Sequence, residues 1–185
     1  MAEILSYLAV ALPADISAGA RLLALQCALR MNAYMRVELP AGLLRGLRIS
    51  VVEACHELAQ AGWLSVVDGP GPAGIAAEIR DVLTQSPARP DRRRAADWAM
   101  RRGCPARTGA TEPQLRLLGV YLSAHGEPSS GEGLIESDRV VRGCGIREQE
   151  FQGALSRLTA SGFLNGWRIC LESEDLYWTL APGQR

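Results

Sequence analysis

A short pattern that occurs twice in this chain constrains its fold most strongly. Residues 54–64 and residues 154–164 each carry an alanine, a leucine four residues later, and then a glycine followed by an aromatic residue and a leucine. This pattern is typical of an amphipathic helix that ends at the glycine, here Gly62 or Gly162, and continues into a strand. Because the two copies are separated by 100 residues, the sequence predicts two copies of one structural unit.

Hydrophobic periodicity and turn residues predict further elements around both copies. Helices are predicted from Pro113 onward and at residues 2–12, 18–32, 41–44, 51–61, 92–102, 139–142 and 148–160. Strands are predicted around Trp167, around Trp178, and at residues 34–39 and 63–67. Residues 75–79 fit either a strand or a short helix. Asp15 or Ser17 can cap the second helix, and Ser50 with Glu53 has the sequence of a capping box.

The repeated pattern resembles the third helix and first wing strand of winged helix-turn-helix domains. In the second copy, residues 134–146 stand where these domains have the second helix and its turn. The resemblance implies an α+β fold, mostly α with small β-hairpin wings, in which two winged-helix domains in tandem are joined by an arginine-rich linker helix. It places an N-terminal domain with a helical extension at residues 1–86, the linker at 87–109 and a C-terminal domain at 110–185. The motif identifies a fold, so function has to be inferred from particular side chains.

The composition disfavours several classes of protein. No stretch reaches the roughly 18 consecutive apolar residues of a membrane-spanning helix. The apolar start at residues 4–12 is short and has no basic region before it. We therefore expect a cytoplasmic, nucleoid-associated protein without a membrane partner. All 20 basic residues are arginine and none is lysine, which indicates a GC-rich genome, such as that of an actinobacterium.

Residues that could support catalysis or metal binding are few. The chain has 2 histidines, and although His56 begins a zincin-like motif, Gln60 stands where that motif needs a second histidine. A G-x-G-x-x-G sequence at residues 69–74 contains two prolines, which remove amide donors that a dinucleotide would need. The 5 cysteines form no C-x-x-C pair, which argues against a zinc site or a disulfide scaffold. We expect no enzyme activity, no cofactor and no metal.

Two of the cysteines follow arginines closely. Cys104 comes after Arg101 and Arg102, and Cys144 comes after Arg142. Positive charge near a thiol lowers its pKa and favours the reactive thiolate. A redox-sensing switch is one interpretation of these residues, and inert thiols are the other.

The distribution of charge favours a nucleic-acid partner more than the total charge does. Basic and acidic residues both number 20, so the formal net charge is zero, whereas a duplex-binding protein usually carries surplus positive charge. Residues 89–107, however, hold seven arginines against two aspartates. This cluster either contacts phosphates or is a solvated charge run in the linker. The acidic wing tip at residues 172–175 would be repelled by phosphates.

The resemblance also assigns roles on DNA. Winged-helix proteins insert the N-terminal half of the third helix into the major groove, where arginine, glutamine and glutamate side chains can discriminate bases. The corresponding positions here are Arg147, Glu148, Gln149, Gln152, Gly153 and Ser156. Arginines placed for phosphate contacts are Arg139, Arg142 and Arg157 in the C-terminal domain and Arg92, Arg93, Arg94, Arg101 and Arg102 in the linker.

The predicted function is sequence-specific binding of double-stranded DNA by a transcriptional regulator. Two alternatives stay open, because tandem winged helices also occur in two other classes of protein. One is a protein-interaction module, such as an adaptor or a chromosome-organisation subunit, and the other is a plasmid replication or transfer regulator. The helix at residues 2–12 either packs on the first domain or acts as a homodimerisation arm.

Overall fold

The fold is α+β, with eight helices and two small antiparallel sheets among the described residues. We analysed a computed structural model, which describes residues 1–80, 89–102 and 112–183. The domain boundaries predicted at residues 86/87 and 109/110 lie outside the described residues. We refer below to residues 1–80 as the N-terminal half and to residues 89–183 as the C-terminal half.

Both halves contain the same order of elements. The N-terminal half consists of α1 (Ala2–Ala11), α2 (Ala18–Arg30), β1 (Arg36–Pro40), α3 (Ala41–Leu47), α4 (Val51–Gln60), β2 (Leu64–Asp68) and β3 (Gly74–Ile79). The C-terminal half consists of α5 (Arg89–Arg102), α6 (Pro113–His125), β4 (Glu132–Glu136), α7 (Ser137–Cys144), α8 (Glu148–Ala160), β5 (Leu164–Ile169) and β6 (Asp175–Leu180). The sheet orders β1-β3-β2 and β4-β6-β5 also match, so the last strand is central in each half.

A glycine with positive φ follows the corresponding helix in each half, α4 and α8. Gly62 follows α4 with φ +71°, and Gly162 follows α8 with φ +69°, in agreement with the repeated sequence pattern. A Cβ atom added to either glycine would meet no other atom within 4 Å. The positive φ, and not a lack of space, therefore accounts for glycine at these positions. The aromatic residues that come next, Trp63 and Phe163, are buried. The glycine therefore turns the chain and the aromatic ring anchors it in the core.

The two halves share one hydrophobic core. It is centred on α2, buried along residues 20–29, and on α6, buried along residues 115–122, which contact each other. α5 packs on both of these helices. α1 packs on α7, α2 and α6, and its apolar residues Ile4, Leu5 and Leu8 are buried. Of the two interpretations of the N-terminal helix, the structure therefore favours packing within the chain.

Several local predictions need correction. Residues 134–136, predicted as part of a helix and turn, belong to strand β4, because pairing with β6 overrides the local preference of a segment this short. The capping box is wrong, since the side chain of Ser50 makes no capping hydrogen bond. The hydroxyl of Ser17 does cap α2 by accepting from the Ala20 amide. Residues 75–79, left open, form a strand.

Candidate nucleic-acid interface

α8 exposes a polar face along its whole length. Its apolar residues Phe151, Ala154, Leu155 and Leu158 are buried, and the helix packs on α6 and β5. The exposed residues of the helix and its N-cap are Arg147, Glu148, Gln149, Gln152, Gly153, Ser156, Arg157 and Ala160. Since residues three and four apart lie on the same side of a helix, the residues predicted to read bases share one accessible surface.

The N-terminus of this face carries an ion pair. Arg147 is the N-cap of α8 but makes no side-chain capping bond; its guanidinium pairs with Glu150 one turn further on. The hydrogen bond from Arg147 lowers the pKa of the Glu150 carboxyl, and the same bond raises the pKa of Arg147. Because Arg147 is exposed and Glu150 is partly exposed, the pair contributes little to stability, and Arg147 can exchange Glu150 for another partner.

Gly153 leaves a gap in the middle of the exposed face. A Cβ atom added there would meet no other atom within 4 Å, so the fold does not require glycine at this position. The missing side chain exposes the helix backbone between Gln149 and Ser156. A ligand can therefore approach the helix axis more closely here than at neighbouring positions.

Arg157 is tied to the start of α6. It pairs with Glu112, the N-cap residue of that helix. At the matching position of α4, the carboxylate of Glu57 accepts hydrogen bonds from the amide (2.8 Å) and hydroxyl (2.9 Å) of Ser17, the N-cap of α2. The same tie between two helices is thus made in both halves with different residues. Arg157 has this structural contact in addition to its predicted role on phosphates.

Arg139 and Arg142 are exposed on α7. They border a shallow cleft of about 290 Å³ between α7 and α1, whose lining also includes Glu136 and Asp138. The Tyr121 hydroxyl donates to the backbone carbonyl of Arg139 at 3.2 Å, which ties α7 to α6. Both guanidiniums are accessible to a phosphate, although the two carboxylates reduce the local positive charge.

Arg92 requires a correction. Its side chain is only 7% exposed, and its Nη1 donates to the carbonyl oxygens of Ala28 (3.3 Å) and Met31 (3.1 Å) at the C-terminal end of α2. These carbonyls lack partners within their own helix, and a positive charge there also complements the helix dipole. The burial of Arg92 is inconsistent with the predicted phosphate contact, and its role is to fasten α5 to α2.

Both aspartates of α5 are ion-paired. Asp91 pairs with Arg94 at 2.5 Å on the same helix, and Asp97 pairs with Arg30 of α2 at 2.5 Å. Arg30 is mostly buried, whereas Arg94 is largely exposed. Arg94 therefore remains reachable by a phosphate that displaces Asp91, and Asp97 serves the contact between α5 and α2.

Three more arginine side chains of α5 are described, and one of them, Arg102, lies near the partly buried Trp98. Arg93 and Arg101 are exposed and form no ion pair with any residue that the structure describes. The Cζ atom of Arg102 lies 5.8 Å from the centre of the Trp98 ring. Met1 borders the same surface, at the opposite end of α1 from the α7 cleft. Arg94 and Arg101 therefore lie near the start of α1, whereas Arg139 and Arg142 lie near its end.

α4 presents a different surface from α8. Its exposed residues are Val52, Glu53, His56, Ala59 and Gln60, and Val52 is 66% exposed. This face contains a carboxylate and no arginine, so its potential is unfavourable for phosphate.

Arg168 is among the arginines for which the sequence patterns predict no role. Arg168 lies on β5 with its Cζ atom 3.9 Å from the ring centre of Tyr177 on β6. This stacked pair borders a cleft of about 600 Å³ on the second sheet, together with exposed Leu134. The alternation of Trp167 and Ile169 contains the signal, since it places residue 168 on the opposite face.

The environment of Cys144 argues against the redox-sensing interpretation of this cysteine. Cys144 is fully buried, and burial raises its pKa although nearby Arg21 acts in the opposite direction, so it is a neutral thiol rather than a thiolate. Cys104 lies outside the described residues. Cys170, not singled out from the sequence, is partly exposed, and hydrogen bonding with Ser173 lowers its pKa.

His125 is the last residue of α6. Its Nδ1 donates to the Tyr121 carbonyl at 2.9 Å, and the two rings stack with centroids 4.3 Å apart. Partial burial lowers the pKa of His125, and the hydrogen bond partly offsets that effect. The contacts give this histidine a packing role at the helix end.

Comparisons with known proteins add no assignment. No family model matches the chain, and neither the curated proteins nor the solved structures contain a significant match to it. Within the described ranges, no group of three or more His, Cys, Asp or Glu side chains could hold a metal ion. The helices in those ranges are too short or too polar to cross a lipid bilayer.

Proposed function

We propose that this protein binds double-stranded DNA, with α8 in the major groove, and that it is a sequence-specific transcriptional regulator. Arg147, Gln149 and Gln152 contact base edges in this proposal. The phosphate contacts come from arginines of α7, α8 and α5, namely Arg139, Arg142, Arg157, Arg93, Arg94, Arg101 and Arg102. Arg92 is excluded from that set because it is buried.

The order of elements supports this proposal. From α2 to β3 and again from α6 to β6, the chain runs helix, strand, helix, helix, strand, strand, with the last strand in the centre of the sheet. Winged-helix domains have this order, and they use the helix before the hairpin to enter the major groove. In the C-terminal half that helix is α8.

The observation that carries the proposal is the exposed polar face of α8. Glutamine can pair bidentately with adenine and arginine with guanine, and Gln149, Gln152 and Arg147 are all exposed. Gly153 exposes the helix backbone beside them. A long, solvated face of hydrogen-bonding side chains is what direct reading of base edges requires.

The charges around this face predict a salt-sensitive interaction. Glu148 and Glu150 oppose the phosphates, and Arg147 has to exchange Glu150 for DNA. Affinity for any duplex must therefore come mainly from the arginines of α5 and α7. Each phosphate contact releases counterions, so binding weakens steeply as salt increases.

A gel-shift selection with the full-length chain tests the proposal. Fragmented genomic DNA is incubated with the protein, and the retained fragments are sequenced. We expect a common sequence motif, and we expect Arg147→Ala with Gln149→Ala to reduce discrimination by about 1 to 3 kcal/mol per lost base contact. Arg36→Ala, an exposed arginine of the first sheet, is the control. If no fragment is enriched at low salt, the proposal is rejected.

One observation favours the second candidate, a protein-interaction module. A mainly apolar cleft of about 340 Å³ lies between α3, the start of α4 and the loop at residues 70–71, with Leu44, Ile49 and Val51 in its lining. Exposed Val52 follows directly in the sequence. An adaptor would bind no duplex in the gel shift, and Val52→Asp would abolish its crosslinking to a partner protein.

A further inference from the structure

We infer that the chain recognises a single DNA segment without two-fold symmetry, using its C-terminal half alone. The inference rests on the proposed function and deepens it. Because the halves repeat the same fold, two similar half-sites would be the simple expectation. The side chains of α4 and α8 argue against that expectation.

The two helices are matched by position. Measured from the glycine that ends each helix, Leu58 corresponds to Leu158, and Glu57 corresponds to Arg157. The contacts agree with this match, because Glu57 binds the N-cap of α2 and Arg157 pairs with the N-cap of α6. α4 and α8 therefore have equivalent positions in their halves.

The N-terminal ends of the two helices differ in length. α4 has 10 residues and α8 has 13, so with the C-terminal ends matched the additional turn of α8 is residues 148–150. This turn contains Gln149 and brings Arg147 forward as the N-cap. In winged-helix domains, the N-terminal end of this helix enters the major groove. That end is missing from α4.

The exposed faces differ in chemistry as well. Val52 occupies the position of Gln152, and it has no hydrogen-bonding group. Glu53 occupies the position of Gly153, so a carboxylate stands where the C-terminal half leaves its backbone open. Phosphates would repel that carboxylate. α4 keeps the contacts that hold α2, and near its N-terminal end it lacks the hydrogen-bonding side chains that α8 presents.

The relative placement of the halves is held by buried contacts. Arg116 of α6 is 2% exposed, and its guanidinium donates to the carbonyls of Leu47 and Gly46 at the end of α3. The halves therefore bind DNA as one body, with α4 unable to reorient independently. One chain should occupy one site.

Selection from a pool of randomised duplexes tests this inference with the full-length chain. We expect one enriched motif without inverted or direct repetition, bound by one chain per duplex as measured by native mass spectrometry. A motif made of two similar half-sites overturns the inference while leaving DNA binding intact. No enriched motif at all rejects the proposed function, so the two failures are distinguishable.

Two matched triple variants locate the reading surface. Val52→Ala with His56→Ala and Gln60→Ala alters α4, and Gln149→Ala with Gln152→Ala and Ser156→Ala alters α8. All six side chains are exposed, so both variants should fold, which circular dichroism checks. We expect the α8 variant to lose about tenfold or more of its preference for the selected duplex, and the α4 variant to keep it within twofold. A loss of preference in the α4 variant overturns the inference.

Discussion

The two halves of this chain share a fold and differ in the helix that precedes each hairpin. In α4, Glu57 holds the start of α2, and in α8, Arg157 holds the start of α6. The tie between the helices is kept although the charge at the position is reversed. The comparison teaches that the repeat preserves the packing of these helices, whereas their exposed N-terminal ends differ in length and in side chains.

A second comparison concerns two buried arginines in the central helices. Arg21 and Arg116 are the fourth residues of α2 and α6 and are each 2% exposed. Arg21 donates to the carbonyls of Ile16 (3.2 Å) and Pro13 (2.7 Å) in its own half. Arg116 instead donates to carbonyls of the N-terminal half. The matched position therefore serves the loop before α2 in one half and the junction between halves in the other.

The largest expected effect is a difference in stability loss between substitutions of these two buried arginines. Arg116→Met should lower the free energy of unfolding by about 3 kcal/mol, because it removes two charged hydrogen bonds and leaves buried carbonyls unsatisfied. Arg21→Met should cost about 1 kcal/mol, since Nη1 of Arg21 already has no partner among the described residues and its burial is unfavourable. Urea unfolding measures both. Equal losses would show that the junction is not held by Arg116.

Glycine and arginine at a matched turn give the next prediction. Gly145 after α7 and Arg48 after α3 both adopt the left-handed conformation, with φ +60° and +50°. A Cβ at Gly145 would lie 2.8 Å from the carbonyl oxygen of Ile16 and from Nε of Arg21. Gly145→Ala should therefore cost about 2 kcal/mol, and Arg48→Gly should stabilise by up to about 1 kcal/mol. Thermal unfolding distinguishes them, and a loss of stability in Arg48→Gly would contradict the argument.

Substitutions of two neighbouring arginines of α5 should have different effects, one on stability and the other on DNA binding. Arg92→Met should cost about 1.5 kcal/mol of stability because its bonds to α2 are lost. Arg93→Ala should change stability by less than about 0.5 kcal/mol and reduce the salt dependence of duplex binding by about one ion. The paired measurements are urea unfolding and fluorescence anisotropy against salt. A reduced salt dependence in Arg92→Met, with Arg93→Ala unaffected, would reverse the assignment.

The smallest expected effect concerns pH. Burial holds the pKa of His125 below its ordinary value of 6.5, so the unfolded chain takes up a proton before the folded chain does. The contribution of His125 is complete above pH 6.5 and is lost as the pH falls from that value toward the folded pKa. His125→Gln should flatten this part of the stability profile, which urea unfolding at a series of pH values measures. An unchanged profile in His125→Gln would contradict the assignment.

Much of the fold follows from the sequence where local signals are strong. The predicted bounds of α8 agree with the structure, because three apolar residues at helical spacing and a terminal glycine all indicate the same helix. β4 was missed, since its five residues become a strand only through pairing with β6. Strands this short carry too little periodicity to be recognised alone.

The candidate site was predictable only in part. Periodicity placed Gln149 and Gln152 on the exposed face of α8, where the structure has them. It could not foresee that Arg92 inserts between helices or that Arg157 meets Glu112, because both contacts join residues far apart in the sequence. A run of arginines does not reveal which of its members are buried.

The difference between α4 and α8 is tested most directly by deleting residues 148–150. The deletion shortens α8 to the length of α4, a length with which the N-terminal half already folds, and circular dichroism checks that helix content is retained. It removes Gln149 together with two glutamates, so affinity for unselected duplexes should stay equal or increase. Fluorescence anisotropy with the selected duplex and a scrambled one should show the preference reduced about tenfold or more. An undiminished preference for the selected duplex would contradict the account, because bases would then be read by another surface.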